Sequence, residues 1–315
     1  MAKIIVTGST GFLGRHLIPI LRATYGESHV VGLSSKDFDL LRQDQVEQMF
    51  EVHKPEVLIH LAAYSGGIGA NRAYPADFFH KNALFVTLMF DAAARHGVKK
   101  MIYPMGGCSY PATASSPISE DQMWNGYPQP ESAGYSVAKK MGIVTSQSYR
   151  QQYGLNSVVL IPGNMYAEYD NFRESESHVV PAMVRRYYET KLRGDKEITM
   201  WGDGLPVRDF VYAGDVAKTI PWFIENYDSS EPVNVSSGTK TSIRELAETI
   251  KNKMGWDGEI KWDASKPNGQ MVKIFDVARL NGLGLSCGTS LAEGLDKTIQ
   301  WLEKNFSAKT DGLRL

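Results

Sequence analysis

Residues 3–17, KIIVTGSTGFLGRHL, constrain the fold more than any other stretch of the chain. A β-branched run ends at Thr7; Gly8, Gly11 and Gly14 then recur every third residue as an apolar periodicity of helical type begins. A strand that turns on glycine straight into a helix is the first half of a β-α-β unit, because a parallel neighbour can be reached only by a long crossover. The rhythm persists. HVVGLS, EVLIHLAA, KKMIYP and NSVVLIPGNMY read as strands, and QDQVEQMFEVH, PADFFHKNALFVTLMFDAAARHG and AGYSVAKKMGIVTSQSYRQQYG read as the helices between them. That alternation predicts an α/β fold with a parallel sheet, right-handed crossovers and helices on both faces.

The glycines carry chemistry as well as geometry. Their spacing suits a backbone that must turn tightly and approach a pyrophosphate, whose charge is met by free amides at the helix N-terminus. Strand, glycine turn, helix and following βα units together are the context that a dinucleotide site requires. The sequence therefore predicts a Rossmann-type doubly wound sheet with Gly8, Thr10, Gly11, Phe12, Leu13, Gly14 and Arg15 around a dinucleotide phosphate. After the second strand an NAD site places an acidic residue on the ribose hydroxyls. Here that strand end reads Leu33-Ser34-Ser35-Lys36, with no carboxylate before Asp37. Hydroxyls and an ammonium suit a 2′-phosphate, so Ser34 and Lys36, with Arg15 as a second cation, point to NADP(H), with NAD(H) as the alternative.

Past about residue 165 the alternation becomes irregular and the composition turns aromatic and charged, as in EYDNFRESESH and RRYYETKLRGDKE. We read residues 1–165 as the NADP(H)-binding unit, with return segments near 209–236 and 272–282. Residues 166–315 form a smaller, mixed α/β substrate-binding region interleaved with it. A net charge of −1 provides no basic stripe for nucleic acid. No window approaches the roughly 20 apolar residues of a membrane span, and the amino terminus has no leader pattern, so the expected location is cytoplasmic. Two cysteines, Cys108 and Cys287, build neither a disulfide framework nor a cysteine-rich metal site, and no metal is expected.

In GYSVAKK, Tyr135 and Lys139 stand four residues apart on a helical segment and so share one face. An adjacent ammonium favours the ionised phenol, which brings it closer to working pH as a proton donor or acceptor. Such a pair can protonate an alkoxide while hydride arrives from a nicotinamide.

With these residues in place the chain resembles the extended short-chain dehydrogenase/reductases. Within them it resembles the GDP-L-fucose synthase group, epimerase-reductases of GDP-4-keto-6-deoxy-D-mannose. The similarity spans nearly the whole chain and is carried by HLAAYSGGIGANRAYPADFFHKN, GCSYP, YSVAKK, QQYGLNSVVLIPGNMYAEYDNF, SHVVPAMVRR, MWGDGLPVRDFVYAGDVA and KPNGQMVKIFDVARL. The resemblance implies Tyr135 and Lys139 as the reductase pair, and Cys108 and His178 as the acid/base pair for C3 and C5. It adds Leu61, Ala62, Ala63, Pro162, Asn164 and His178 to the cofactor site. Gly106, Cys108, Asn164, Val179, Arg186, Trp201, Arg208 and Lys273 are implied against a GDP-sugar, and a homodimer is implied as the assembly. For Arg186 the plain alternative is a solvated helix face, and for Arg208 a salt bridge to Asp209.

The chain also departs from that group. A serine usually stands four residues before the tyrosine of the YP pair, and Gly106 occupies that place here. On an extended strand Gly106 and Cys108 would point together and Ser109 away, so Ser109 could substitute only through a turn at the two glycines. Ser34, Ser35 and Lys36 replace the usual arginines of the cofactor loop, and Gln270, Met271 and Val272 replace Thr, Pro and Arg. Three readings follow: an NADP(H)-dependent epimerase/reductase of a GDP-linked 4-keto-6-deoxy hexose, an epimerase with weak or no net reduction, and a non-catalytic NADP(H)-binding protein.

Overall fold

The computed structural model describes residues 2–173, 176–266 and 268–306. Glu174 and Ser175 of ESES, Pro267 of KPNG and residues 307–315, in the region read from sequence as substrate-binding, lie outside the described residues.

Six parallel strands form the central sheet: β1 (Ile4–Thr7), β2 (Val30–Leu33), β3 (Val57–His60), β4 (Lys100–Pro104), β5 (Asn156–Pro162) and a late arrival, Val233–Val235. Helices α1 (Phe12–Tyr25), α2 (Gln43–His53), α3 (Ile68–Ala73), α4 (Pro75–Arg95) and α5 (Ala133–Tyr153) connect the first five. The strands are buried on both faces, which is why they read as apolar runs rather than alternating ones. Successive side chains still part: Ile4 and Val6 join Leu17 and Leu21 of α1, while Ile5 joins Phe50 of α2 and Phe90 of α4. Truncating a buried leucine such as Leu17 to alanine in such a layer costs about 2–5 kcal/mol.

The second half begins with β6 (Asn164–Tyr166), α6 (Val179–Arg193), β7 (Glu197–Trp201), β8 (Val207–Arg208), β9 (Phe210–Tyr212) and α7 (Ala213–Asn226). The late strand of the central sheet is β10; β11 (Thr241–Ser242), α8 (Ile243–Lys253), β12 (Glu259–Asp263), β13 (Val272–Lys273), α9 (Ala278–Gly282) and α10 (Leu291–Asn305) follow among the described residues. Three small sheets result: β11-β8-β13, β12-β7 and β6-β9. They are tied to the loops after the central strands by Gly67 N donating to Glu176 O (2.9 Å), and by Ile118 N donating to Ile274 O (2.8 Å).

The strand order β2-β1-β3-β4-β5-β10 reverses direction between β1 and β3. Crossovers leave that point to opposite sides, so a crevice opens beyond the carboxyl ends of the strands. The glycine turn, the Ser34–Lys36 loop, the segment after His60 and the residues after Pro104 all stand at this edge.

Candidate active site

The glycine turn leaves no room for side chains. Gly8 has φ +70°, and a Cβ there would lie 2.8 Å from Ala62 N; one on Gly14 would lie 2.5 Å from the carbonyl oxygens of both Gly8 and Ser9. Strand β1, the Leu61–Ala62 segment and the start of α1 are thus in backbone contact. Gly11 is the N-cap of α1 and no side chain caps the helix, so its first amides face the turn. An uncapped helix start against a side-chain-free turn is a cradle that could hold a pyrophosphate.

At the end of β2, the Ser34 amide and hydroxyl both donate to Asp37 Oδ2 at 2.8 Å. Those two bonds hold the carboxyl below its ordinary range and engage it with its own loop rather than leaving it for a ribose. Lys36 stands exposed beside them. Arg15 donates through Nε to Thr10 O at 2.9 Å and its guanidinium lies 5.3 Å from the Tyr169 ring centre.

Beyond β4 the chain turns rather than continuing extended. The strand stops at Pro104, and Gly107–Ser109 make a 3₁₀ turn. The turn needed for Ser109 to replace a missing serine therefore exists, but it carries Ser109 into the interior. Ser109 is fully buried and its hydroxyl has no hydrogen-bond partner. Cys108 remains partly exposed. A Cβ on Gly106 would stand 3.1 Å from Cys108 Sγ, 3.2 Å from Tyr135 Cε1 and 3.6 Å from the Tyr135 hydroxyl. Thiol and phenol thus flank one point, and Gly106 leaves that point empty.

Tyr135 and Lys139 lie in the first two turns of α5. The phenol is not brought down by its lysine as expected. Burial, with the nearby Cys108 charge adding, raises the Tyr135 pKa. Burial also pushes the Lys139 ammonium down to about 7, against the pull of Cys108. A lysine that titrates there is only partly charged near neutrality and favours phenolate correspondingly less.

Lys273 enters from β13, in register with Arg208 of β8. Burial lowers both pKa values; for Lys273 the Cys108 charge opposes the drop while Arg208 reinforces it. Arg208 does not take the alternative of a salt bridge to Asp209. Neighbours on an extended chain point apart, and Arg208 Nη1 donates to Val207 O (2.9 Å). Asp209 is fully buried and accepts from Ser237 Oγ (2.6 Å), Gly238 N (3.1 Å) and Phe275 N (3.4 Å). Its own backbone carbonyl accepts from Asn164 Nδ2 at 2.8 Å. Asp209 thereby knits the loop after β10 to the segment after β13, a role that nothing in the linear sequence announces.

His178 is the N-cap of α6, with Val179 and Arg186 following on that helix; all three are exposed. Trp201 ends β7 at 67 % exposure, and Pro162 closes β5 just before Asn164. The structure therefore gathers Cys108, Tyr135, Lys139 and Lys273 into one electrostatically connected group. His178, Arg186 and Trp201 stand on the surface of the smaller region. Cys287 is buried away from them, and burial pushes its thiol up to about 12. Among the described residues no group of acidic, histidine or cysteine side chains could hold a metal, and no helix is long and apolar enough to cross a membrane.

Residues 4–236 match the NAD dependent epimerase/dehydratase family. GDP-L-fucose synthase 1 of Arabidopsis thaliana is 38 % identical over 304 residues, covering 96 % of this chain and 94 % of the plant protein. GDP-L-fucose synthase of Escherichia coli (strain K12) is 33 % identical over 312 residues, covering 96 % and 97 %. Among solved structures, a GDP-L-fucose synthetase from Naegleria fowleri bound to NADP superposes with a TM-score of 0.88 at 28 % identity, covering 100 % of this chain and 96 % of that one.

Proposed function

Because this chain belongs to the NAD dependent epimerase/dehydratase family, we propose that it is an NADP(H)-dependent epimerase/reductase of a GDP-bound 4-keto-6-deoxy hexose. The observation that carries the reading is the meeting of Cys108 with Tyr135 and Lys139 at the carboxyl edge of the sheet, beside the glycine cradle. Relatives named for GDP-L-fucose synthesis along nearly their whole length support the GDP-sugar class. An NADP-bound neighbour of the same fold supports the cofactor.

The cradle from Gly8 to Arg15 holds the dinucleotide pyrophosphate, with Leu61, Ala62, Ala63, Pro162, Asn164 and His178 around the rest of the cofactor. Ser34 and Lys36 meet the 2′-phosphate. NADPH supplies a hydride. A C4 ketone acidifies the hydrogens on C3 and C5, so Cys108 and His178 exchange protons there through an enolate. Tyr135 then gives its proton to the C4 oxygen, and its raised pKa keeps that proton in place until it is needed. Lys139 supports the phenolate that remains. Arg186 and Arg208 suit the GDP pyrophosphate as planar forks, Trp201 offers an exposed face, and Val179, Asn164 and Lys273 border the sugar. A homodimer belongs to the same reading; Phe79 of α4 and Val144 of α5 stand exposed at 44 % and 50 % on two helices packed together.

Gly106 favours a second reading, epimerisation with little net reduction. Losing one donor to a developing oxyanion costs about 10²- to 10³-fold in rate. Incubation with GDP-4-keto-6-deoxy-D-mannose and NADPH in D₂O separates the two. NADPH loss with deuterium at C3 and C5 supports the epimerase/reductase. Deuterium without NADPH loss supports the second reading, and neither signal refutes both.

A further inference from the structure

Lys139 is only 4 % exposed, and an ammonium so placed needs a partner that compensates its lost hydration. Its Nζ lies 4.1 Å from the centre of the Tyr103 ring. Tyr103, on β4, is completely buried, and its hydroxyl donates to the backbone carbonyl of Lys139 itself at 3.3 Å. One tyrosine therefore touches both ends of one lysine. Three residues along α5, a Cβ on Gly142 would stand 2.2 Å from Tyr103 Cε1, so the helix can rest on this ring only because residue 142 has no side chain.

The ring is itself supported. His60, ending β3, stacks on Tyr103 at 6.1 Å between centroids with 17° between planes, and Phe90 meets it edge-on at 5.6 Å. His60 Nδ1 is 2.8 Å from Thr7 Oγ1, on the residue immediately before Gly8. Packing thus runs from the cofactor cradle through Thr7, His60 and Tyr103 to the ammonium of the proposed reductase pair.

We propose that Tyr103 is a positioning residue for hydride transfer: its ring face seats the Lys139 ammonium beneath the helical turn that carries it. The inference rests on the reading of Tyr135 and Lys139 as that pair. The groups facing Lys139 are Tyr135 on its own helix, Cys108 on the turn after β4, His60 on β3 and Tyr103 on β4. Burial pushes His60 down to about 3, with Lys139 adding to the drop, so it contributes no charge near neutrality. Burial likewise keeps the Tyr103 hydroxyl protonated. A ring face favours the charged form of a desolvated ammonium by an amount equivalent to about one pH unit of titration.

The test is the titration of Lys139, read from ¹³C-lysine-labelled full-length protein by heteronuclear NMR and assigned by its loss in Lys139→Arg. The wild-type midpoint is expected near 7. In Tyr103→Leu it falls by about one unit, a tenfold loss of ammonium above the midpoint, whereas Tyr103→Phe keeps the ring and the midpoint. Gly142→Ala, which displaces the ring without removing it, shifts the midpoint in the same direction and decides the matter if Tyr103→Leu does not fold. An unchanged midpoint in the folded ring variants overturns the proposal, as does an equal shift in Tyr103→Phe. NADPH oxidation by Tyr103→Leu should be depressed at pH 8 and recover towards pH 6; a general packing defect lowers both alike and overturns it. The titration needs no sugar, so failure of the proposed reaction leaves it intact as a separate result.

Discussion

Gly14→Ala separates the cofactor cradle from the stability of the fold. The new Cβ would stand 2.5 Å from two backbone oxygens, those of Gly8 and Ser9. Ordinary contact begins near 3.5 Å, so the start of α1 must withdraw from the β1 turn by about 1 Å. Alanine regains about 1 kcal/mol of helix propensity over glycine, and overpacking costs about 1–3 kcal/mol. The fold should therefore lose no more than about 2 kcal/mol. The cradle suffers more, because its amides are useful only where they reach the pyrophosphate. A hydrogen bond to a charged group is worth about 1.5–3 kcal/mol, so losing one weakens NADPH binding about 10- to 100-fold. Fluorescence titration of NADPH, set beside urea unfolding of the same protein, reads both quantities. A folded variant that binds NADPH within about threefold of wild type would show that the amides at this turn do not hold the cofactor.

Other outcomes follow from the same geometry. Lys36→Glu should lower the preference for NADPH over NADH by about tenfold or more, and an unchanged ratio of dissociation constants would remove Lys36 from the 2′-phosphate site. Asp209→Ala leaves the donors of Ser237, Gly238 and Phe275 without their acceptor and should cost about 3 kcal/mol in urea unfolding; a loss under about 1 kcal/mol would show that the loop after β10 does not depend on the carboxylate. His60 has its folded pKa pushed down to about 3. The unfolded chain therefore binds the proton first, and stability is lost as pH falls below about 6.5. Between pH 7 and pH 5 that is about 2 kcal/mol, which His60→Phe should remove from the pH dependence of unfolding; parallel profiles would contradict it.

What could be read from the sequence was what local backbone chemistry dictates. Gly8, Gly11 and Gly14 were legible because their reason lies in the turn they make, and Tyr135 with Lys139 because helical spacing alone puts them on one face. The end of the strand at Pro104 was legible in KKMIYP, but the conformation beyond it was not: the turn at Gly107–Ser109, which buries Ser109, was one of two geometries the sequence left open. The charge state of Tyr135 was misjudged because spacing shows the neighbouring lysine but not the burial that outweighs it. A salt bridge between Arg208 and Asp209 stood open in the sequence, but alternation sends the two to opposite sides, and Asp209 takes its donors from residues 237, 238 and 275. Tyr103 passed as one more apolar residue of a strand. The only trace of its contact was a glycine inside a long helix, Gly142, whose meaning depends on β4 lying beneath it.

The most direct test of the account is to divide the two chemistries between two side chains. Tyr135→Phe and Cys108→Ser would be incubated separately with GDP-4-keto-6-deoxy-D-mannose and NADPH in D₂O, with label located by NMR and NADPH followed by absorbance. Tyr135→Phe should still exchange C3 and C5 while its NADPH consumption falls about 10²-fold or more, and Cys108→Ser should lose the label. Wild-type NADPH consumption by Tyr135→Phe, or undiminished labelling by Cys108→Ser, would contradict that division.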